Sequence, residues 1–509
     1  MVKKKNSTNS FWSLPILSSC MKSDEVTWVE TIVGYFIGPI GVLLFNAIIL
    51  NYINVYFTDV LGLSGTFLII FPVVSSALAV AVNIVMGLLI DRTHTSVGKA
   101  RPYILIAVPM LLVSGIILFT IPASVPSGIA QMTWIVVAYN LYLSIANGVY
   151  SMGHSLMVPL STRNSQKRNQ LSVWTNTASA GAVGAMSIVF PIILSFLGVS
   201  KGRWAAVMCL FAAIAAAAAV LEFYFTRERI TEEVDNAAQT SINLTANKNK
   251  EPIVSVGRQI KSMITEPYWW MIIGFYVLWQ FSGNMKNGSM TYFCNYVVGT
   301  YSDGKTQTIL AIIGAIPMAA GVLIATPIAN RIGKQRFLLI GLAIGVIGGI
   351  IMWSNPTNIA VISIGLAIKS VGMIPGMTIM TALFSDVLDH MEWKNGFRCD
   401  GLSMSIYSAC MTALGGVCSG VLNAILSAAG YVAPSVQTSG IHSTVQKVLA
   451  DGTQIFNQTG SAQFAIEACY ILFELIAWAV IFIIMLGLRV EKNLPAEQAE
   501  IQRRRHLND

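Results

Sequence analysis

A helix that crosses a bilayer needs about 20 mostly apolar residues. Twelve stretches of this chain meet that need: 28–57, 64–90, 102–122, 130–160, 171–198, 203–226, 269–298, 306–330, 335–353, 357–385, 402–430 and 463–488. That repetition sets the solvent before it sets the fold. Only 11% of the 509 residues are charged, against about 25% in soluble domains, so the medium around this chain is lipid. The backbone must then satisfy itself, as helices or a closed barrel, and apolar runs of this length select helices. Gly and Pro recur inside them, at 36–41, Pro317 and Pro375, where neighbouring helices or a cavity must take up the freed backbone groups.

Orientation follows from Lys and Arg, which concentrate in cytoplasmic loops. With both termini inside, 26 of the 32 basic residues fall on the cytoplasmic side, 4 (Lys201, Arg203, Lys305, Lys447) outside, and 2 within spans. This split accounts for the net charge of +8 through an anionic leaflet and calls for no nucleic acid. The seven cysteines form no Cys-x-x-Cys pair, so neither metal nor redox chemistry is expected.

The expected plan is an all-α integral membrane protein of two six-helix bundles. A tail (1–27) precedes the first bundle (28–226). A polar linker (227–268) carries an amphipathic surface helix marked by Ile253, Val256, Ile260, Met263 and Ile264. The second bundle (269–488) contains an outer loop (431–462), in which Ile441 to Leu449 reads as a short helix, and a cytoplasmic tail (489–509) follows. The halves echo each other. Gly98-Lys-Ala-Arg101 follows the second span and Gly333-Lys-Gln-Arg336 the eighth. Arg168-Asn-Gln-Leu-Ser172 opens the fifth and Arg398-Cys-Asp-Gly-Leu-Ser403 the eleventh. Such repeats suit halves that rock around a midplane site.

Four motifs carry a resemblance over roughly residues 30–435: Tyr56-Phe-Thr-Asp-Val-Leu-Gly62; Asp91-Arg-Thr with Gly98-Lys-Ala-Arg-Pro102; Asn284-Met-Lys-Asn-Gly288 with Tyr292-Phe and Tyr296-Val-Val-Gly299; and Asp386-Val-Leu-Asp389-His-Met-Glu392-Trp-Lys394 running into Gly396-Phe-Arg398. In these the chain resembles the glycoside–pentoside–hexuronide:cation symporters of the major facilitator superfamily, the melibiose-permease group. The resemblance implies a multi-pass inner-membrane transporter of sugars or sugar acids, working as a monomer by alternating access with a coupling cation, H+ or Na+, and no other cofactor. It also shows a departure. Where the family carries Arg, Asp and Asp-Pro in span 2, this chain has Ser76, Ala79 and Asn83-Ile84. Ser151 stands for the span 4 Asp, Leu43 for the span 1 acid, Asn176 for the span 5 Arg and Ala413 near the span 11 Lys. The family's usual cation site therefore does not carry over.

Lys286 and Lys369 remain within spans, each at a cost of about 2.5–3.5 kcal/mol at mid-bilayer, so each must face a cavity or an acid. They are candidates to hold an anionic group such as a uronate, or to form a structural pair with Glu474. Glu474 and Glu30 are the candidate coupling acids. Sugar hydroxyls need replacement partners on leaving water, and a sugar's C–H face packs on a ring. Trp279, Gln280, Asn284 and Asn287 offer both, with Tyr35, Asn83, Asn140, Ser151, Trp174 and Asn176 as candidates in the other half. Trp269 and Trp270 read as interfacial anchors. Asp91, Arg92, Lys99 and Arg101 are expected to form a cytoplasmic gate with Asp386, Asp389, Glu392 and Arg398. An uncoupled facilitator and a lipid or lysolipid carrier are the alternatives on the same fold. A membrane enzyme is disfavoured, since there is no His-Glu-x-x-His, P-loop or Gly-x-Ser-x-Gly and His154 has no partner evident in the sequence. A non-transporting receptor on the same scaffold is not favoured either.

Overall fold

A computed structural model describes residues 12, 14–93, 95, 97–122, 128–162, 164–230, 256–301, 303–397, 400–434, 445–448 and 454–508. The chain is helical almost throughout: α1 (Glu30–Val60), α2 (Gly65–Arg92), α3 (Arg101–Phe119), α4 (Ile129–Ser161), α5 (Ser165–Leu197), α6 (Lys201–Phe225), α7 (Val256–Ile264), α8 (Pro267–Tyr292), α9 (Lys305–Ile332), α10 (Lys334–Ser354), α11 (Ile359–Asn395), α12 (Asp400–Ala428), α13 (Gly460–Leu486) and α14 (Val490–Asn508). Among the described residues, ten helices are long and apolar enough to cross a membrane; α8 and α9 are not in that set. In α8 the run Gln280, Ser282, Asn284, Lys286 and Asn287 makes the middle of the helix polar. Wide π-type turns interrupt α1 at Glu30–Ile37 and Tyr56–Val60, and α4 at Leu141–Ala146. Such turns often mark functional sites.

One expectation is corrected. Within 441–449, the described residues Val445–Val448 form a strand (β1), not a helix, paired antiparallel with Gln454–Phe456 (β2). Val445, Val448, Ile455 and Phe456 are residue types that favour a pleated backbone, and that preference outweighs the helical spacing. The linker segment 231–255 and Arg398 lie outside the described residues, while α7 gives a helix to the second part of the expected surface element. On α7, Met263 is buried and Ile260 and Ile264 are exposed.

Contacts divide the described residues into two units: those of 1–53, 74–190 and 199–248, and those of 54–73, 191–198 and 249–509. The end of α1 and the start of α2 thus group with the second unit and not with the bundle their sequence position suggests. In the first unit, small residues let helices approach closely. A Cβ on Gly34 would lie 2.5 Å from the Phe225 carbonyl, one on Gly38 2.8 Å from the Glu222 Cα, and one on Gly41 2.4 Å from the Ala218 Cβ. This glycine stripe on α1 against the Ala-rich α6 is how membrane helices gain packing without a hydrophobic drive. In the second unit α10 and α11 meet the same way, at Gly341, Gly345 and Gly348 against Gly365 and Gly372. The core there stacks Trp279 on Phe275 (ring centroids 5.3 Å apart) and on Trp478 (5.1 Å). Trp269 is buried in that core, which corrects its reading as an interfacial anchor, whereas Trp270 is half exposed. A large flat ring with a single donor is used in either setting.

Candidate functional site

In each unit a carboxylate clamps the helix that follows the repeated Gly-Lys-x-Arg loop. Glu228 accepts from the backbone N–H groups of Lys99 (2.8 Å), Ala100 (2.8 Å) and Arg101 (2.7 Å). Glu491 accepts from those of Lys334 (2.8 Å) and Gln335 (3.0 Å). These amides at a helix start have no partner within the helix and carry its positive dipole end, so an anion belongs there. Gly98 at φ +115° and Gly333 at φ +93° make the turn into each clamp, and a Cβ on Gly98 would lie 2.5 Å from the Glu228 carboxylate. The loop repeat read from the sequence thus has a common structural role, whose acid sequence reasoning missed because it lies more than a hundred residues away.

Of the expected gate residues, Arg101, Asp386 and Asp389 have side-chain partners inside their own units. Lys99 supplies a clamp amide. Arg101 is buried, donates to the carbonyls of Phe223 (2.9 Å) and Val97 (3.2 Å), and lies 4.6 Å from the Phe223 ring centroid. Asp91 and Arg92 lie in the last turn of α2. Lys334 bonds both oxygens of Asp386 (2.9 and 2.6 Å), and Gln498 donates to Asp389 (2.9 Å). Glu392 is half-buried on the same helix, α11. Around this helix end, Lys394 donates to Glu266 (2.8 Å) and His390 faces Glu497 (2.9 Å). The acids Glu266 and Glu497 were not singled out from sequence.

In the second unit Lys369 and Glu474, both buried, form an ion pair. Lys286 is different: it is half-buried on α8, has no acidic partner among the described residues, and stands close enough to Lys369 for the two charges to act on each other. Along α8, Gln280 donates to Asn284 (3.2 Å), Trp279 sits half-buried in the aromatic stack, and Asn287 is exposed. In the first unit the Asn83 side-chain oxygen is buried with no hydrogen-bond partner among the described residues. Asn140 is occupied locally, by the Val136 carbonyl (2.8 Å) and Ser144 (3.1 Å). Ser151 reaches only the Gly148 carbonyl, at 3.4 Å. Trp174 meets Trp28 and Phe36 edge-on, and Asn176 is exposed. Tyr35 is buried with its hydroxyl 3.4 Å from the Met157 carbonyl. Glu30 is saturated by Arg229, at 3.0 and 2.7 Å.

Two acids inside spans were passed over in the sequence. Glu222 on α6 is buried, accepts from the Tyr150 hydroxyl (2.5 Å) and faces His154 Nδ1 (2.7 Å), so His154 does have a partner. A lone acid in an alanine-rich span, with a Tyr and a His one turn apart on α4, was the available signal. Asp59 is buried in the second unit and accepts from Thr58 and Tyr431, each at 2.8 Å. Tyr292 touches Thr58 (2.7 Å), and Asn54 donates to Tyr292 (3.1 Å). A cavity of about 250 Å³, lined in part by Thr58, Leu68, Asn423 and Tyr431, lies beside it. Burial pushes the Tyr431 phenol well above its ordinary pKa, so it stays a donor.

A sequence family described as MFS/sugar transport protein matches residues 34–490. The chain is similar to the isoprimeverose transporter of Lactiplantibacillus pentosus, 25% identical over 505 residues, covering 96% of this chain and 94% of that one. It is also similar to the glucuronide carrier protein homolog of Escherichia coli (strain K12), 25% identical over 434 residues, covering 82% and 87%. In fold it is similar to the crystal structure of the nucleoside transporter NupG, with a TM-score of 0.54 at 11% identity, covering 91% of this chain and all of that one.

Proposed function

The chain belongs to the MFS/sugar transport protein family, and from that premise we propose that it carries sugar acids in preference to neutral sugars, with Lys286 holding the substrate's carboxylate. As a member of this family it is a multi-pass membrane sugar transporter and not an enzyme. The observation that carries the proposal is the contrast between two lysines in one unit. Lys369 has its counter-charge in Glu474, while Lys286 has none among the described residues. A lysine left without an acid in a span is costly unless it faces water or a ligand, and an anionic substrate would supply the missing charge. The carboxylate gains a charge-assisted bond there. Gln280 and Asn284, one turn apart on α8 and bonded to each other at 3.2 Å, present a second polar face of the same helix, on a different side from Lys286. Asn287, next to Lys286 on α8 and exposed, completes the proposed lining in this unit.

In this reading α8 and α9 add two spans to the ten that pass on length and composition. Both termini then lie in the cytoplasm of an inner-membrane protein, with six spans on either side of the linker. The Asp386 cluster lies at the cytoplasmic face, where pairs must be exchangeable for the carrier to open in turn on either side. Purified protein in liposomes tests the substrate claim. Uronate and neutral glycoside uptake are compared in wild type and Lys286→Gln. Transport of the uronate should fall by at least about tenfold, the worth of one charge-assisted bond of 1.4 kcal/mol or more, with the neutral sugar far less affected. Equal loss for the two sugar classes would overturn the anion-binding role.

A further inference from the structure

The first unit holds three side chains that the substrate reading leaves unused: Tyr150 and His154 on α4 and Glu222 on α6. Both oxygens of the Glu222 carboxylate are taken, one by the Tyr150 hydroxyl at 2.5 Å and one by His154 Nδ1 at 2.7 Å. No Lys or Arg pairs with it among the described residues. The Tyr150 and His154 rings lie nearly parallel, 10° apart, so both groups meet the acid from the same helix. Glu222 is 1% exposed at its side chain and His154 is 13% exposed. The imidazole is therefore the accessible edge of an otherwise closed trio.

A carboxylate taken this far from water must be paired or neutral. Three other buried acids meet that demand with Arg or Lys, and Asp59 meets it with the hydroxyls of Thr58 and Tyr431. Glu30 has Arg229, which also donates to the carbonyls of Ser23 and Glu25, and Glu474 has Lys369. Glu266 at the start of α8, which faces His390 at 3.9 Å, also has Lys394. Glu222 alone among them depends on a group that gains and loses its proton near neutral pH. The charged and titratable groups facing the trio are accounted for. Tyr35 and Glu30 come from α1, Arg229 follows α6 and is spent on Glu30, and Arg101 on α3 is spent on backbone carbonyls beside Phe223. Among the described residues no Lys or Arg pairs with Glu222 once the imidazole is neutral.

We propose that His154 and Glu222 form the proton-carrying pair of this transporter, taking up one proton with sugar on one side of the membrane and releasing it on the other; the proposal rests on the sugar-transport reading. In the loaded pair, imidazolium Nδ1–H donates to the carboxylate and the site is neutral. When the His154 edge meets water, the Nε2 proton leaves to that water. The neutral imidazole keeps Nδ1–H on Glu222, the site carries one negative charge, and no bond other than N–H is broken. The uncharged and singly negative forms favour different degrees of hydration, so the proton biases which way the carrier opens, and by reciprocity sugar binding changes the proton's affinity. Tyr150 positions the carboxylate and does not carry the proton.

The test uses full-length protein in liposomes with the membrane potential clamped at zero. Sugar counterflow, which needs no gradient, comes first. If no uronate, pentoside or glycoside gives counterflow in wild type, the sugar reading falls and the coupling role with it. With counterflow present, an inside-alkaline gradient of one pH unit should drive accumulation towards about tenfold, the limit for one proton per sugar. A sodium gradient alone should drive none. In His154→Gln and Glu222→Gln the accumulation ratio should fall to unity while counterflow is measurable, and Tyr150→Phe should still accumulate. Accumulation in both variants equal to wild type overturns the proposal, as does a wild type driven only by sodium or by neither gradient. If the variants do not fold, wild-type calorimetry decides: sugar binding measured in buffers of differing ionisation enthalpy should show proton uptake between pH 6 and 8, and none overturns it.

Discussion

The two units meet the same backbone problem in the same way and the same electrostatic problem in different ways. Glu228 and Glu491 each stand at the start of the helix that follows a Gly-Lys-x-Arg loop, and each takes its exposed amides. Inside the membrane the likeness ends. The second unit pairs Glu474 with a lysine, Lys369, whereas the first answers Glu222 with His154 and Tyr150. A repeated fold preserves what the backbone needs. Side-chain chemistry is free to diverge, and a difference between a lysine and a histidine partner is where two such units can take on separate tasks. The second unit can offer a steady charge field to a substrate, and the first can respond to protons.

The sharpest way to break that contrast is to remove the lysine. Lys369→Met leaves Glu474 buried without its counter-charge and should cost about 3–5 kcal/mol. The paired change Lys369→Met with Glu474→Gln should recover most of the loss. Thermal unfolding in detergent reads both. If the single change is mild, Glu474 is protonated and the second unit resembles the first. Next in size comes Gly98→Ala, which puts a Cβ 2.5 Å from the Glu228 carboxylate at φ +115° and should cost about 1–3 kcal/mol. Gly333→Ala, with its nearest carboxylate oxygen at 3.4 Å, should cost only the backbone strain. Third, Glu228→Gln should destabilise by about 1–2 kcal/mol and Glu491→Gln by less, since charge-assisted bonds to three amides are weakened in one and to two in the other. Equal melting shifts would show the clamps to be energetically alike despite the difference in bonds.

Much of this was legible in the chain because lipid leaves few choices. The spans, the loop repeat and the family motifs are local in sequence, and the helices from α1 to α6 and from α10 to α13 follow from apolar length. Pairings across the chain were harder. That Lys369 could meet Glu474 was arguable because both are rare charges within spans. That Glu222 meets His154, 68 residues away, or that Glu228 closes the Gly98 loop depends on which helices are neighbours, and hydropathy carries no such information. Asp59 stood inside a motif used for its resemblance, and its chemistry as a buried acid was passed over. The strand at Val445–Val448 was misread because spacing alone separates a short helix from a β-branched strand poorly.

Asp59 gives the smallest expected effect and sharpens the comparison further. It is a third acid within a span, and among the described residues it has neither a lysine nor a histidine: hydroxyls alone answer it, from Thr58 and Tyr431 at 2.8 Å each. Removing one of two donors from a closed site would ordinarily cost about 1–3 kcal/mol. Here Thr58 and Tyr431 also line a cavity of about 250 Å³, roomy enough for water to take the place of the missing phenol. Tyr431→Phe should therefore shift stability by less than about 1 kcal/mol, read as a small change in melting temperature, while Asp59→Leu, which takes the charged acceptor from two hydroxyls at once and leaves them the Asn54 carbonyl (3.0 Å) and the Tyr296 hydroxyl (3.3 Å), should cost more. A large loss for Tyr431→Phe would mean that the cavity stays dry, and that Asp59 is held as rigidly as Glu474 without any cation to hold it.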